Sequence, residues 1–161
     1  MTPSPDTLSV EILIESPAWT ARPEAEAAIR RAIEEAARAV PAAAGEVAVV
    51  LTDDAAVRDL NRVWRGHDAA TNVLSFPAKP APGGPPQLGD IAMAYETVAR
   101  EAVAQAKPFD HHLSHLAVHG FLHLLGHDHV ADQEANAMER LESAILARLD
   151  IPDPYAARDA T

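Results

Sequence analysis

Apolar and polar residues alternate from Leu8 to Glu11 and give way to Ile12-Leu13-Ile14, a pattern that predicts a strand ended by Pro17. Between about Pro23 and Val40 the period lengthens. Ala25, Ala28, Ile29, Ala32, Ile33 and Ala36 recur at helical spacing, while Glu26 with Arg30 and Glu34 with Arg38 form i,i+4 pairs on a solvated face. Pro41 and Gly45 break that helix. Val47-Ala48-Val49-Val50-Leu51 is continuously apolar, as expected of a central strand covered on both faces. Thr52, Asp53 and Asp54 then offer N-cap oxygens for a short helix to about Trp64. Val73 to Phe76 reads as a short strand stopped by Pro77, and Leu88 to Ala94 as another, beyond a proline- and glycine-rich loop. Helices follow from about Tyr95 to Ala106, from Phe109 to Leu125 and from Asp132 to Leu149; Pro108 closes the first of them. The last helix presents Met138, Leu141, Ile145 and Leu149, which read as core. This order predicts an α+β fold, a small mixed sheet of four strands packed with about five helices.

With 161 residues, 48% of them hydrophobic, the chain is expected to form one domain over residues 1–161, with residues 1–6 and the tail from Asp150 disordered. It has no cysteine, which excludes disulfides and thiolate metal sites and suits a reducing cytoplasm. No apolar run approaches the ~20 residues of a membrane span. The prolines and the acid of Met1 to Asp6 do not resemble a secretory signal, and no internal repeat is visible.

The histidines change the picture. Seven of the eight lie between His111 and His129. His119 and His123 are four apart, so on the helix from Phe109 they share one face and can reach one metal ion. Gly126, which can take a positive φ without a Cβ clash, is placed to stop the helix and turn the chain back, bringing His129 in as a third ligand. Three protein ligands leave one position for water, the pattern of a catalytic zinc, and one Zn²⁺ per chain is expected. A lone histidine on an apolar helix face is usually a packing residue; three at offsets 0, +4 and +10, with glycine at +7, are not explained that way. Metzincin proteases share these offsets, but their second position is the glutamate that acts as general base. Here it is Gly120, which moves no proton.

The segment His119-Gly120-Phe121-Leu122-His123-Leu124-Leu125-Gly126-His127-Asp128-His129 resembles the YbeY family of bacterial endoribonucleases and ribosomal RNA maturation factors. A second match is Leu60-Asn61-Arg62-Val63-Trp64-Arg65, continuing through Asp68 into Thr71-Asn72-Val73-Leu74-Ser75-Phe76-Pro77, with Trp64 where tyrosine is usual. Gly89-Asp90-Ile91 matches more weakly, and the resemblance covers roughly residues 46–149. It implies a zincin-like metal helix and a zinc-dependent endoribonuclease cleaving single-stranded RNA. The reaction it implies is maturation of the 3′ end of small-subunit ribosomal RNA, together with ribosome quality control. The small ribosomal subunit or its proteins are the implied partners, with neither DNA nor a membrane. Arg58, Arg62 and Arg65 share a helix face that composition alone reads as solvated; the resemblance implies that Arg65 contacts RNA near the metal, a role that suits a planar, permanently charged guanidinium. The family often has histidines at His112 and His115, which are read as packing groups or as partners that hydrogen-bond a ligand or a carboxylate. Asp128 orients an imidazole or shapes the turn; His127 and His67 are assigned no role.

Charge argues against a broad nucleic-acid surface, since the net charge is −11. Residues 54–79 hold Arg58, Arg62, Arg65 and Lys79 against Asp54, Asp59 and Asp68, or +1, so the remainder carries −12. An RNA path must be a narrow channel of these arginines and the metal, with specificity supplied by a ribosomal or protein partner. Two rivals share the metal: a zinc peptidase or other hydrolase with its base elsewhere, and a non-catalytic ribosome assembly factor in which the metal is structural.

Overall fold

A computed structural model describes residues 8–40, 44–78, 86–126 and 132–155. Four strands form one sheet in the order β1-β2-β4-β3, where β1 is Leu8–Ile14, β2 Gly45–Thr52, β3 Val73–Pro77 and β4 Gln87–Ala94. The pairs β1–β2 and β2–β4 are parallel and β3 runs antiparallel to β4, so the sheet is mixed. Among the described residues five α-helices accompany it: α1 Ala25–Ala39, α2 Asp54–Arg65, α3 Tyr95–Ala104, α4 Phe109–Leu124 and α5 Asp132–Arg148. The expected α+β class, sheet and helix number all hold.

The apolar stripe of α1 is buried at all six predicted positions. Its polar face differs from the expected ladder. Arg38 pairs with Glu35 three residues before it, and Arg30 donates from Nη1 to the Val10 carbonyl of β1 at 2.7 Å. On β2 the two faces are unequal. Val47, Val49 and Leu51 are fully buried, whereas Glu46, Ala48 and Val50 are only half-buried. The helices α1 and α4 pack over the first face, and the second is covered only in part, so the apolar run marks a central strand without two closed faces. Asp53 caps α2 by accepting the Ala56 N–H at 2.8 Å, and Gly66 ends it at φ +69. Helix α3 stops at Ala104, two residues short of expectation, where Ala106 takes the left-handed φ of +54.

Helix α4 is the central element: it packs on α1, α3, α5, β3 and β4 and is buried on most of its circumference. Its approach to the sheet is closest at Gly120. A Cβ there would stand 3.2 Å from Ser75 Oγ and 3.3 Å from methyl carbons of Ile91 and Val73. Met138 of α5 joins this core. Of the expected tail, residues 150–155 are described and 156–161 lie outside the described residues. Ile151 packs against the core, and Asp153 accepts from Ser143 Oγ and from the Tyr155 N–H, which holds the chain against α5 as far as Tyr155. No helix among the described residues is long and apolar enough to cross a membrane.

Candidate metal centre

His119 and His123 stand one turn apart near the C-terminal end of α4, and their Nε2 atoms approach to 3.1 Å. Two imidazole nitrogens sharing a tetrahedral zinc at bond lengths of about 2.0–2.1 Å would lie roughly 3.3 Å apart. The pair is therefore already near the separation that a common ion requires. Both rings line a cavity of about 580 Å³ whose other walls include Asn61, Arg65, Asn72 and Ser75. The floor is fixed by the close seat of α4 on the sheet, where Ser75 Oγ donates to the Gly120 carbonyl at 2.9 Å. The rim is fixed by Asn61, which is buried at the end of α2 and donates to the Ala69 carbonyl at 2.9 Å.

Arg65, in the last turn of α2, donates from Nη2 to the Ser75 carbonyl at 2.9 Å and lies 5.8 Å from the centre of the Phe76 ring. Arg65 lines the histidine cavity and, with Phe76, a neighbouring groove. The other two arginines of that helix are engaged elsewhere: Arg58 grips Asp68 with two nitrogens, at 2.7 and 3.1 Å, and Arg62 lies 3.5 Å from Asp59. The structure thus separates one arginine from a face that the sequence presents as three.

Behind the cavity stands Glu142 of α5, only 1% exposed. Its Oε1 lies 2.6 Å from His119 Nδ1, and its Oε2 lies 2.9 Å from His115 Nε2 and also bonds the Tyr155 hydroxyl. Burial pushes this carboxyl up, but the hydrogen bonds of His115 and His119, the His119 charge and the Tyr155 hydroxyl outweigh it and hold the group at about 2. It is an ionised carboxylate in the core. A second pair stands one turn back along α4. His112, 4% exposed, sets Nε2 at 2.9 Å from Glu101 Oε1, which also accepts from Asn72 Nδ2 at 2.9 Å. Burial lowers the His112 pKa below its ordinary value against the opposing pull of Glu101.

The Glu142 and Glu101 carboxylates escaped sequence reading. A signal for Glu142 exists: it falls four residues after Met138 and three before Ile145, on the buried side of α5, where an unpaired acid is not tolerated. Of the remaining predicted groups, His129, Asp128 and His127 lie outside the described residues. Gly126 takes φ +94, directly after the last turn of α4, as the proposed helix stop requires. Among the described residues no three His, Asp or Glu side chains converge as a complete metal site. Two nitrogens at ligand separation, one of them backed by a carboxylate, nevertheless suit a zinc ion by donor chemistry.

A family model described as endoribonuclease YbeY matches residues 14–150. The chain belongs to the endoribonuclease YbeY family. It is 55% identical to endoribonuclease YbeY of Bradyrhizobium diazoefficiens over 165 residues, which covers 98% of this chain and 90% of that one. It is 59% identical to the protein of the same name from Rhodopseudomonas palustris strain BisA53, over 94% of this chain and 92% of that one. A solution structure of a Thermotoga maritima protein superposes with a TM-score of 0.55 at 22% identity, covering 88% of this chain and 91% of the other. That likeness concerns the fold. The YbeY match spans both sequence segments that line the cavity, the α2–β3 stretch and the histidine helix.

Proposed function

We propose that this YbeY-family protein is a zinc-dependent endoribonuclease that cleaves single-stranded RNA, acting in maturation of the 3′ end of small-subunit ribosomal RNA and in ribosome quality control. The observation that carries this reading is the 3.1 Å approach of His119 and His123 Nε2 in a cavity that Arg65 also lines. His119, His123 and His129 would hold the zinc. When bound, zinc supplies Lewis acidity toward a phosphate oxygen and lowers the pKa of a coordinated water.

The chain's own residues do the rest. Arg65 presents the planar fork that binds a phosphate through two N–H donors, and its bond to the Ser75 carbonyl fixes the direction of that fork before substrate arrives. Asn61 and Asn72 hold the cavity wall through their backbone and Glu101 contacts, so a strand entering the cavity meets a preformed surface. Position 120, where a zinc peptidase carries its base, faces Ser75, Ile91 and Val73 so closely that even a Cβ there would make its neighbours give by a few tenths of an ångström. This disfavours the peptidase rival on packing as well as on chemistry.

The net charge of −11 supports weak binding to bare RNA, with the small ribosomal subunit or an associated protein presenting the substrate, in the cytoplasm. A single-turnover assay on single-stranded RNA, with and without chelator, tests the reading. Cleavage that chelator abolishes and zinc restores is expected. Cleavage indifferent to chelator would overturn the metal role, and no cleavage by zinc-loaded protein would favour the assembly-factor rival.

A further inference from the structure

We propose that Glu142 is a positioning residue for the metal centre: its carboxylate holds the His119 ring as the Nδ1–H tautomer, and His115 and the C-terminal turn at Tyr155 hold the carboxylate. The inference rests on the zinc reading of the cavity. It adds a buried group that no ligand spacing reveals.

A neutral imidazole carries one N–H, and only the bare nitrogen can bind a metal. His119 must therefore keep its proton on Nδ1 if Nε2 is to face the cavity with its lone pair. Glu142 Oε1, 2.6 Å from Nδ1, supplies the acceptor that selects this tautomer. The bond also fixes the plane of the ring, because the nitrogen 3.1 Å from His123 is then the only one left to point into the cavity.

The carboxylate is itself constrained. Oε2 accepts from His115 Nε2 at 2.9 Å and from the Tyr155 hydroxyl. Among the described residues His115 Nδ1 is buried without a partner. A buried N–H without an acceptor is costly, so the proton of His115 belongs on Nε2, where it donates to Glu142. Tyr155 is delivered by the turn after α5, where Asp153 accepts from Ser143 Oγ at 2.7 Å and from the Tyr155 N–H at 2.9 Å. Three donors thus converge on one buried anion, which stays an acceptor toward His119. The donors come from two places in the fold: His115 and His119 stand one turn apart on α4, while Tyr155 follows α5, the helix that carries the accepting Glu142.

A tie that merely joined α4 to α5 would leave the tautomer indifferent, and this separates the two roles. Long-range ¹H–¹⁵N correlation spectra of metal-free, full-length protein report which nitrogen of His119 carries the proton, and chelator competition reports the zinc Kd. Wild-type His119 is expected as the Nδ1–H form. Glu142→Gln keeps the shape and removes the charge; it should populate the Nε2–H form and weaken zinc binding about 10–100-fold, the usual cost of losing such a partner. Tyr155→Phe should keep the tautomer and weaken zinc binding by less than Glu142→Gln. His119 found as Nε2–H in the wild type would overturn the proposal even if Glu142→Gln failed to fold. A Glu142→Gln protein with wild-type tautomer and zinc Kd would overturn it too, and an unaltered Kd in Tyr155→Phe would remove the C-terminal turn from it. Failure of the wild type to take up zinc would instead overturn the metal reading, while the tautomer measurement still decides what Glu142 does to His119.

Discussion

Replacing Arg65 by alanine isolates the electrostatic part of the proposed function. Among the described residues the guanidinium makes one hydrogen bond, to the Ser75 carbonyl at 2.9 Å, and one ring contact, 5.8 Å from the Phe76 centroid, and the residue is exposed. An exposed hydrogen bond is worth roughly 0.5–1.5 kcal/mol and an exposed cation–π contact about 0.5–1, so Arg65→Ala should lower stability by no more than about 2.5 kcal/mol. It touches neither His119 nor Glu142, so zinc content should not change. The effect on catalysis should be larger. Losing one preorganised donor to charge that develops in the transition state typically costs about 2.7–4 kcal/mol, or 10²–10³ in rate.

The assay is single-turnover cleavage of single-stranded RNA, expressed per zinc-loaded chain so that folding and metal loss drop out. Arg65→Lys keeps the charge and should recover little, because a point charge does not reproduce a two-pronged contact. Arg30→Ala is the control. It gives up a hydrogen bond to Val10 on the far edge strand and should leave the rate unchanged. Equal rates for the Arg65 and Arg30 variants would refute the reasoning and return Arg65 to a structural bond with Ser75.

Other expectations follow from the same geometry. Purified protein should hold about one zinc per chain, and His119→Ala or His123→Ala should lose most of it on elemental analysis; full occupancy in both would end the zinc reading. Gly120→Glu, which rebuilds a protease-like pattern, should lower the melting temperature and gain no peptide hydrolysis, because a Cβ alone already meets three atoms at 3.2–3.3 Å and overpacking costs about 1–3 kcal/mol. His112 should titrate below 6.5 in an NMR pH series, and Glu101→Gln should lower it further by removing the carboxylate that raises it. Since folding favours the neutral ring, the stability that His112 contributes is complete above the unfolded value near 6.5 and declines as pH falls from there toward the folded value. RNA binding should show a shallow salt dependence. Single strands lose about 0.7 in log K per log salt for each phosphate neutralised, so a steep slope would reveal a cationic surface beyond Arg65 and the metal.

The fold was legible because each element announces itself locally. The alternation of β1 survives with its bounds unchanged, and the six-residue stripe of α1 and the apolar run of β2 survive with theirs shifted by a residue or two. The histidine pair was legible for the same reason, since residues four apart on a helix are neighbours whatever surrounds them. What was not legible depends on contacts far apart in sequence. Glu142 lies 23 residues from His119 and 27 from His115, and spacing along one helix says nothing about which acid another helix delivers. Pro152 and Pro154 suggest an open chain, whereas the Asp153 contacts that bend residues 150–155 onto α5 join residues not related by any local period. The arginine face was read as one unit because periodicity reports direction around the helix and not partners; Asp68, beyond the end of α2, is what removes Arg58 from it.

That removal bears on how so acidic a chain would handle RNA. If Arg58, Arg62 and Arg65 stood together without acids, α2 would present a cationic stripe able to hold a strand along its backbone. Asp68 and Asp59 cancel two of the three charges at the surface, where exposed ion pairs add little to stability. Their consequence is instead to leave Arg65, which lines the cavity with His119 and His123, as the one arginine of α2 with no ion pair among the described residues. A strand would then gain little by lying on the surface and would be stabilised only where its phosphate enters the cavity. Such a site would not, on the proposed function, search for RNA by electrostatic attraction but would act on a strand brought to it. On the proposed function, the acidity of the chain and its need for a ribosomal partner are therefore two consequences of one charge arrangement.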